Sequence, residues 1–189
     1  MIAKPIPATL TVEEYFAIEA VENERRYEYI DGELFDMTGG TNNHSVIKLN
    51  AACALYGQLR ESDCSLRGSD MRVKISPTRY VYPDLSAVRE GPLLEDNNST
   101  LLNPILMVEV TSPASRSYDR DSKREFYSSI PTVQAYLIVD QHRVSVDLHT
   151  RMDERWLWQT FDDLQDVVYL EALGCALPMS EIYRGVTFS

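Results

Sequence analysis

Ile105-Leu106-Met107-Val108-Glu109-Val110 is apolar at every position but one. An uninterrupted apolar run of strand length predicts a central strand covered on both faces, because a half-exposed strand would alternate with polar residues. Glu109 is the exception within it. An ionised carboxylate there is costly unless it is paired or bound to a metal. The next residues upstream that carry chemistry lie in Tyr80-Val81-Tyr82-Pro83-Asp84-Leu85-Ser86, part of a second predicted strand over 80–88. Proline has no N–H for a sheet ladder, so Pro83 marks an edge or bulge, and a bulge re-aims the carboxylate that follows it.

Asp84 and Glu109, together with a main-chain carbonyl such as that of Val110, make a set of oxygen ligands suited to Mg²⁺ or Mn²⁺. Such ions are held by one or two carboxylates and keep several waters. A metal so placed against a phosphodiester polarises the phosphate and activates a water, and a nearby lysine steadies the developing charge. Two positions after Glu109, where the usual version of such a site has lysine, stands Thr111; the nearest candidate is Lys123. Each acid also has a structural alternative. Asp84 can cap a turn, and Glu109 can be a buried acid paired with Arg116 or Arg124. Lys123 lies in the charged run Arg120-Asp121-Ser122-Lys123-Arg124-Glu125, a pattern common on solvated helix faces.

The rest of the chain supplies a mixed set of elements. Thr11-Val12-Glu13-Glu14 has capping-box spacing and predicts a helix to about Glu24. Alternating runs on either side of Asp31-Gly32 predict a hairpin over 27–37. Asn42 or Asn43 is the expected cap of a second helix whose apolar face carries Val46, Leu49, Cys53 and Tyr56. Met71-Arg72-Val73-Lys74-Ile75 reads as a strand with its basic residues outward. A polar, turn-rich segment covers 90–103, and a helix over 119–130 stops before Pro131. A strand over 133–139, a meander through 144–148 and 156–161, and a short helix over 178–183 complete the order. Trp156 and Trp158 alternate on one face and read as packing or interface residues. Helix, hairpin, helix, strands, helix, strands describes an α/β or α+β domain.

Composition bounds the partners. At 189 residues the chain suits a single domain, 1–189, with a core over about 11–180. No apolar run is long enough to span a membrane, and the N-terminus lacks an apolar signal core. Cys53, Cys64 and Cys175 have no metal-site spacing and read as reduced thiols, so a cytoplasmic location is expected. The net charge of −11 is unevenly spread. Residues 13–36 carry nine acids against two arginines, whereas 67–80 and 112–127, which flank the key acids, have balances of +3 and +1. That pattern allows local, weak contact with DNA phosphates.

At these residues the chain resembles the PD-(D/E)XK nuclease superfamily, and more narrowly its Uma-type bacterial branch of restriction-endonuclease-like proteins. The matching pieces are Tyr27-Glu28-Tyr29-Ile30-Asp31-Gly32-Glu33, His44, Pro83-Asp84, Val108-Glu109-Val110, Ser112-Pro113, Tyr118-Asp119-Arg120, Lys123, Tyr127 and Tyr136-Leu137-Ile138-Val139-Asp140. The resemblance implies a mixed central sheet flanked by helices, with an N-terminal helix and hairpin. It implies metal binding by Asp84 and Glu109, with the lysine displaced from position 111 to Lys123. Tyr127, one turn further, would share that helix face. Glu28 or Glu33 would be a third acid, with His44 supporting. The expected activity is Mg²⁺- or Mn²⁺-dependent endonucleolytic hydrolysis of DNA by a homodimer. The alternative is a catalytically inactive nuclease-fold module for DNA binding or protein interaction, favoured by Thr111 and by the acidic charge.

Overall fold

The computed structural model describes residues 9–22, 25–37, 40–111 and 122–188. Ser112-Pro113, Tyr118-Asp119-Arg120, Arg116 and the first part of the helix expected over 119–130 lie outside these residues.

Helix α1 (Val12–Val21) starts with the expected capping box: Glu14 N–H donates to Thr11 Oγ1 at 3.2 Å, and Thr11 N–H to the Glu14 carboxylate at 2.8 Å. Strands β1 (Tyr27–Ile30) and β2 (Glu33–Asp36) form the hairpin, turning through Asp31 (φ 49°) and Gly32 (φ 101°). Two consecutive positive φ values give the tight turn whose twist matches the strands.

Helix α2 (Asn42–Leu59) departs from the sequence reading twice. Its cap is Thr41, which accepts from His44 N–H; Asn42 is already helical, and the Asn43 side chain donates to the carbonyls of Gln141 and Thr187. Its buried stripe is Ile47, Ala51, Leu55 and Leu59, while Leu49 and Tyr56 are each 63% exposed and Cys53 is exposed. Both stripes have helical spacing, but they lie on opposite sides of the helix, and the sheet covers the one opposite to that expected.

Strands β3 (Cys64–Gly68), β4 (Arg72–Ser76) and β5 (Arg79–Val81) follow. Arg72 does not face outward. It is buried, bonded to Glu19, Asp96, Ser99 and Thr100, because the acids of α1 and of the 90–103 segment close over it. The strand expected over 80–88 is two strands, since β6 (Leu85–Arg89) belongs to a different sheet from β5. Pro83 sits at the crossover. The polar segment carries two short strands that were not expected, β7 (Leu94–Glu95) and β8 (Thr100–Leu101).

Strand β9 (Leu106–Thr111) is buried at every residue. It is followed by α3 (Arg124–Ser129), β10 (Ala135–Asp140) and the antiparallel meander β11 (Val146–Met152) and β12 (Arg155–Phe161). The ribbon β13 (Val167–Leu170) and β14 (Cys175–Pro178) was also not expected; α4 (Met179–Ile182) was. On β12, Trp156 lies against the Arg151 guanidinium and Trp158 stacks on His149.

Two mixed sheets result, in the orders β2-β1-β5-β4-β8-β7 and β12-β11-β10-β9-β6-β3. In the second, β9 runs parallel to β10 and antiparallel to β6, near the middle, as its apolar run requires. Leu106, Val108 and Val110 point to the core under α2 and α4, whereas Met107 packs on the other side with Tyr127 and Tyr136. Tyr15, Tyr27, Tyr29 and Tyr80 form a third cluster between α1 and the hairpin. No helix among the described residues is long and apolar enough to cross a membrane.

Candidate active site

Period-two alternation along β9 puts Glu109 on the same side as Met107, toward α3. There the Lys123 ammonium lies 2.9 Å from Glu109 Oε1, and the Tyr127 hydroxyl donates to the same oxygen at 2.6 Å. Lys123 and Tyr127 are four residues apart, so one helix face delivers both. Burial, and then the Glu109 charge, raise the Tyr127 hydroxyl well above the ordinary tyrosine range. It therefore stays a proton donor to the carboxylate.

Lys123 Nζ also donates to Glu28 Oε1 at 3.1 Å, and Tyr82 N–H donates to that oxygen at 3.2 Å. The ammonium thus ties β1 of the first sheet to β9 of the second. Glu28, Glu109 and Lys123 are all buried. Glu33 is exposed at the hairpin tip, so of the two acids the resemblance offered, only Glu28 joins the cluster.

Asp84 arrives from the crossover. Leu85 is level with Val108, and one step further along that register Asp84 is level with Glu109. Because the chain leaves for the other sheet at Pro83, the ladder ends there. The Val110 N–H that faces this gap donates instead to Asp84 Oδ2 at 2.8 Å. His44 Nε2, in the first turn of α2, is 3.1 Å from the same oxygen, and Lys48 Nζ is 3.9 Å from Oδ1. Thr111 is buried at the end of β9, its carbonyl accepting from Gln141 N–H.

The structure therefore brings together Asp84, Glu109, Val110, Lys123, Tyr127, Glu28 and His44, and leaves Glu33 apart. Sequence reasoning missed Lys48 and the backbone of Tyr82. The signal for Lys48 was its place one turn after His44; Tyr82 N–H carried none. Two carboxylates, Glu28 and Glu109, converge on one buried ammonium, and Asp84 is held on the adjacent Val110 N–H. Among the described residues no group of three or more His, Cys, Asp or Glu side chains is placed to hold a metal ion. Two carboxylates from adjacent strands, with a neighbouring carbonyl, nevertheless fit a hard cation that keeps most of its waters.

Mixed sheet, paired acids at the crossover and a lysine from the following helix together define a protein of the restriction-endonuclease-like nuclease fold. The chain belongs to the Uma2 family, described as "Putative restriction endonuclease", whose sequence profile matches residues 12–180. It is 35% identical over 188 residues to the uncharacterized protein slr1290 of Synechocystis sp., covering 97% of this chain and 96% of that one. A second Synechocystis protein, sll1609, is 32% identical over 151 residues, or 78% of this chain and 85% of its own length. A crystal structure from Anabaena variabilis, described as a putative nuclease belonging to DUF820, superposes with a TM-score of 0.77 at 16% identity. That match covers 94% of this chain and 99% of the other.

Proposed function

We propose that this chain is a metal-dependent endodeoxyribonuclease in which Asp84, Glu109 and the Val110 carbonyl hold Mg²⁺ or Mn²⁺. The observation that carries the reading is the 2.9 Å contact between Lys123 Nζ and Glu109 Oε1. It supplies an amino group beside the acid despite threonine at 111. When bound, the ion polarises the phosphate and lowers the pKa of the attacking water.

The chain's own residues do the rest. Lys123 orients that water and stabilises charge developing on the phosphoryl oxygens. Glu28 and Tyr127 fix the positions of Lys123 and Glu109, and His44 fixes the Asp84 carboxylate. Hydrolysis leaves a 5′-phosphate. Two strands of a duplex call for two sites, so the reading takes the molecule as a cytoplasmic homodimer of single-domain protomers.

The test is incubation of purified protein with supercoiled plasmid and Mn²⁺, alongside Asp84→Ala and titration calorimetry with Mn²⁺. Nicked or linear product, lost with Asp84→Ala together with the calorimetric signal, is expected. Intact plasmid and metal binding unchanged by Asp84→Ala would overturn it.

One observation favours the second reading, a non-catalytic DNA-binding or protein-interaction module: Lys123 lies between Glu28 and Glu109 as a buried ion-pair network. Networks of this kind occur for structural reasons alone. It predicts no calorimetric metal binding, and lowered stability in Glu109→Gln, which takes from buried Lys123 one of its two charged partners.

A further inference from the structure

We propose that Lys48 is a DNA-phosphate-binding residue of this site, acting at Asp84 on its solvent-exposed side while Lys123 acts at buried Glu109 and Glu28. The proposal rests on the nuclease reading and adds to it the group that first meets the substrate backbone.

The two lysines occupy opposite environments. The Lys123 side chain is 5% exposed and donates to two glutamates, whereas the Lys48 side chain is 32% exposed. Lys48 follows His44 by one helical turn, so both project from the same face of α2 toward Asp84. Gly68 is level with Leu85, and one step on Ser69 is level with Asp84. Lys48 Nζ donates to Ser69 Oγ at 3.1 Å and stands 3.9 Å from Asp84 Oδ1. The second distance is too long for a hydrogen bond. Ser69 therefore holds the ammonium in a loose ion pair with the acid, without a hydrogen bond between them. An ammonium has three donors, and the one bond to Ser69 leaves room for phosphate oxygens.

Three of the four basic residues of 67–80 are paired with acids, while Arg67 bonds to Ser65 Oγ and the Leu66 carbonyl. Arg72 is buried against Glu19 and Asp96. Lys74 pairs with Glu95 at 2.7 Å, and Arg79 with Asp31 at 2.6 Å. A polyanion approaching Asp84, Glu109 and Glu28 on a chain of net charge −11 meets repulsion. Lys48 is a partly exposed positive charge already placed at that boundary. A plain helix-to-loop contact would show the same distances, and the salt dependence of DNA binding separates the two roles.

Binding of a fluorescent DNA duplex is measured by anisotropy over a range of salt concentrations. Ca²⁺ replaces Mg²⁺, since it also takes oxygen ligands. Wild type, Lys48→Met and Lys48→Arg are compared, with urea unfolding of each as a check on folding. Loss of one phosphate contact lowers the slope of log K against log salt by about 0.9. The proposal expects Lys48→Met to show that loss with weaker affinity, and Lys48→Arg to keep the wild-type slope. Wild-type binding with the slope unchanged in Lys48→Met overturns the Lys48 role and leaves the nuclease reading standing. The role also falls if Lys48→Arg matches Lys48→Met in slope, or if Lys48→Met weakens binding only through its stability. No binding by wild type removes both.

Discussion

Lys123 stands fourteen residues after Glu109 in sequence and 2.9 Å from it in space. Its i, i+4 partnership with Tyr127 was legible, because helical spacing is a local property. That Glu28 and not Glu33 would meet it was not legible, since both acids sit in one hairpin and only packing against the second sheet separates them. Removing one member of a buried charge cluster leaves the others desolvated and unpaired. Lys123→Met is therefore expected to destabilise the fold by about 3 kcal/mol in urea unfolding and to abolish plasmid cleavage. Tyr127→Phe removes only a hydrogen bond to a charged group, so a smaller loss of about 2 kcal/mol is expected by the same measurement.

At the scale of elements, α2 shows where periodicity stops being decisive. Val46, Leu49, Cys53 and Tyr56 have helical spacing, and so do Ile47, Ala51, Leu55 and Leu59; the sheet selects the second set. Leu55→Ala should cost about 3 kcal/mol as a cavity mutation. Leu49→Ala, at an exposed position, should stay within about 0.5 kcal/mol. Thr41→Ala should cost about 1 kcal/mol through loss of the cap, with Asn42→Ala clearly milder. Chemical denaturation of the four variants checks both assignments. The crossover was half legible. Pro83 marked an interruption, but its partner sheets are assembled from strands far apart in the chain.

At the scale of the molecule, the two sheets are joined by the Glu28–Lys123–Glu109 cluster and by an apolar core that includes Val73, Val81, Met107 and Ile138. Tyrosines are buried in several places. Burial raises the pKa of Tyr15, Tyr127 and Tyr183 above the ordinary value of 10.0, and that of Tyr82 to about 12. In each case the folded chain holds its phenolic proton more tightly than the unfolded chain does. Their contribution is thus fully present below pH 10 and is lost as pH rises through about 10 to 12 and beyond, where the unfolded state binds fewer protons. Urea midpoints between pH 8 and 12 should fall steeply above pH 10. Absorbance at 295 nm should show these tyrosines ionising only with unfolding.

The strand around Glu109, the Asp31-Gly32 hairpin, the capping box of α1, the meander and the Lys123–Tyr127 face were determined by sequence alone. Each depends on residues within a few positions of one another, through alternation, turn dihedrals or helical spacing. Tertiary structure decided which stripe of α2 is buried, that Arg72 turns inward, that the chain changes sheets at Pro83, and that Glu28 and Lys48 flank the two principal acids. Those outcomes depend on what desolvates or pairs a side chain, and the groups that do so come from distant parts of the chain.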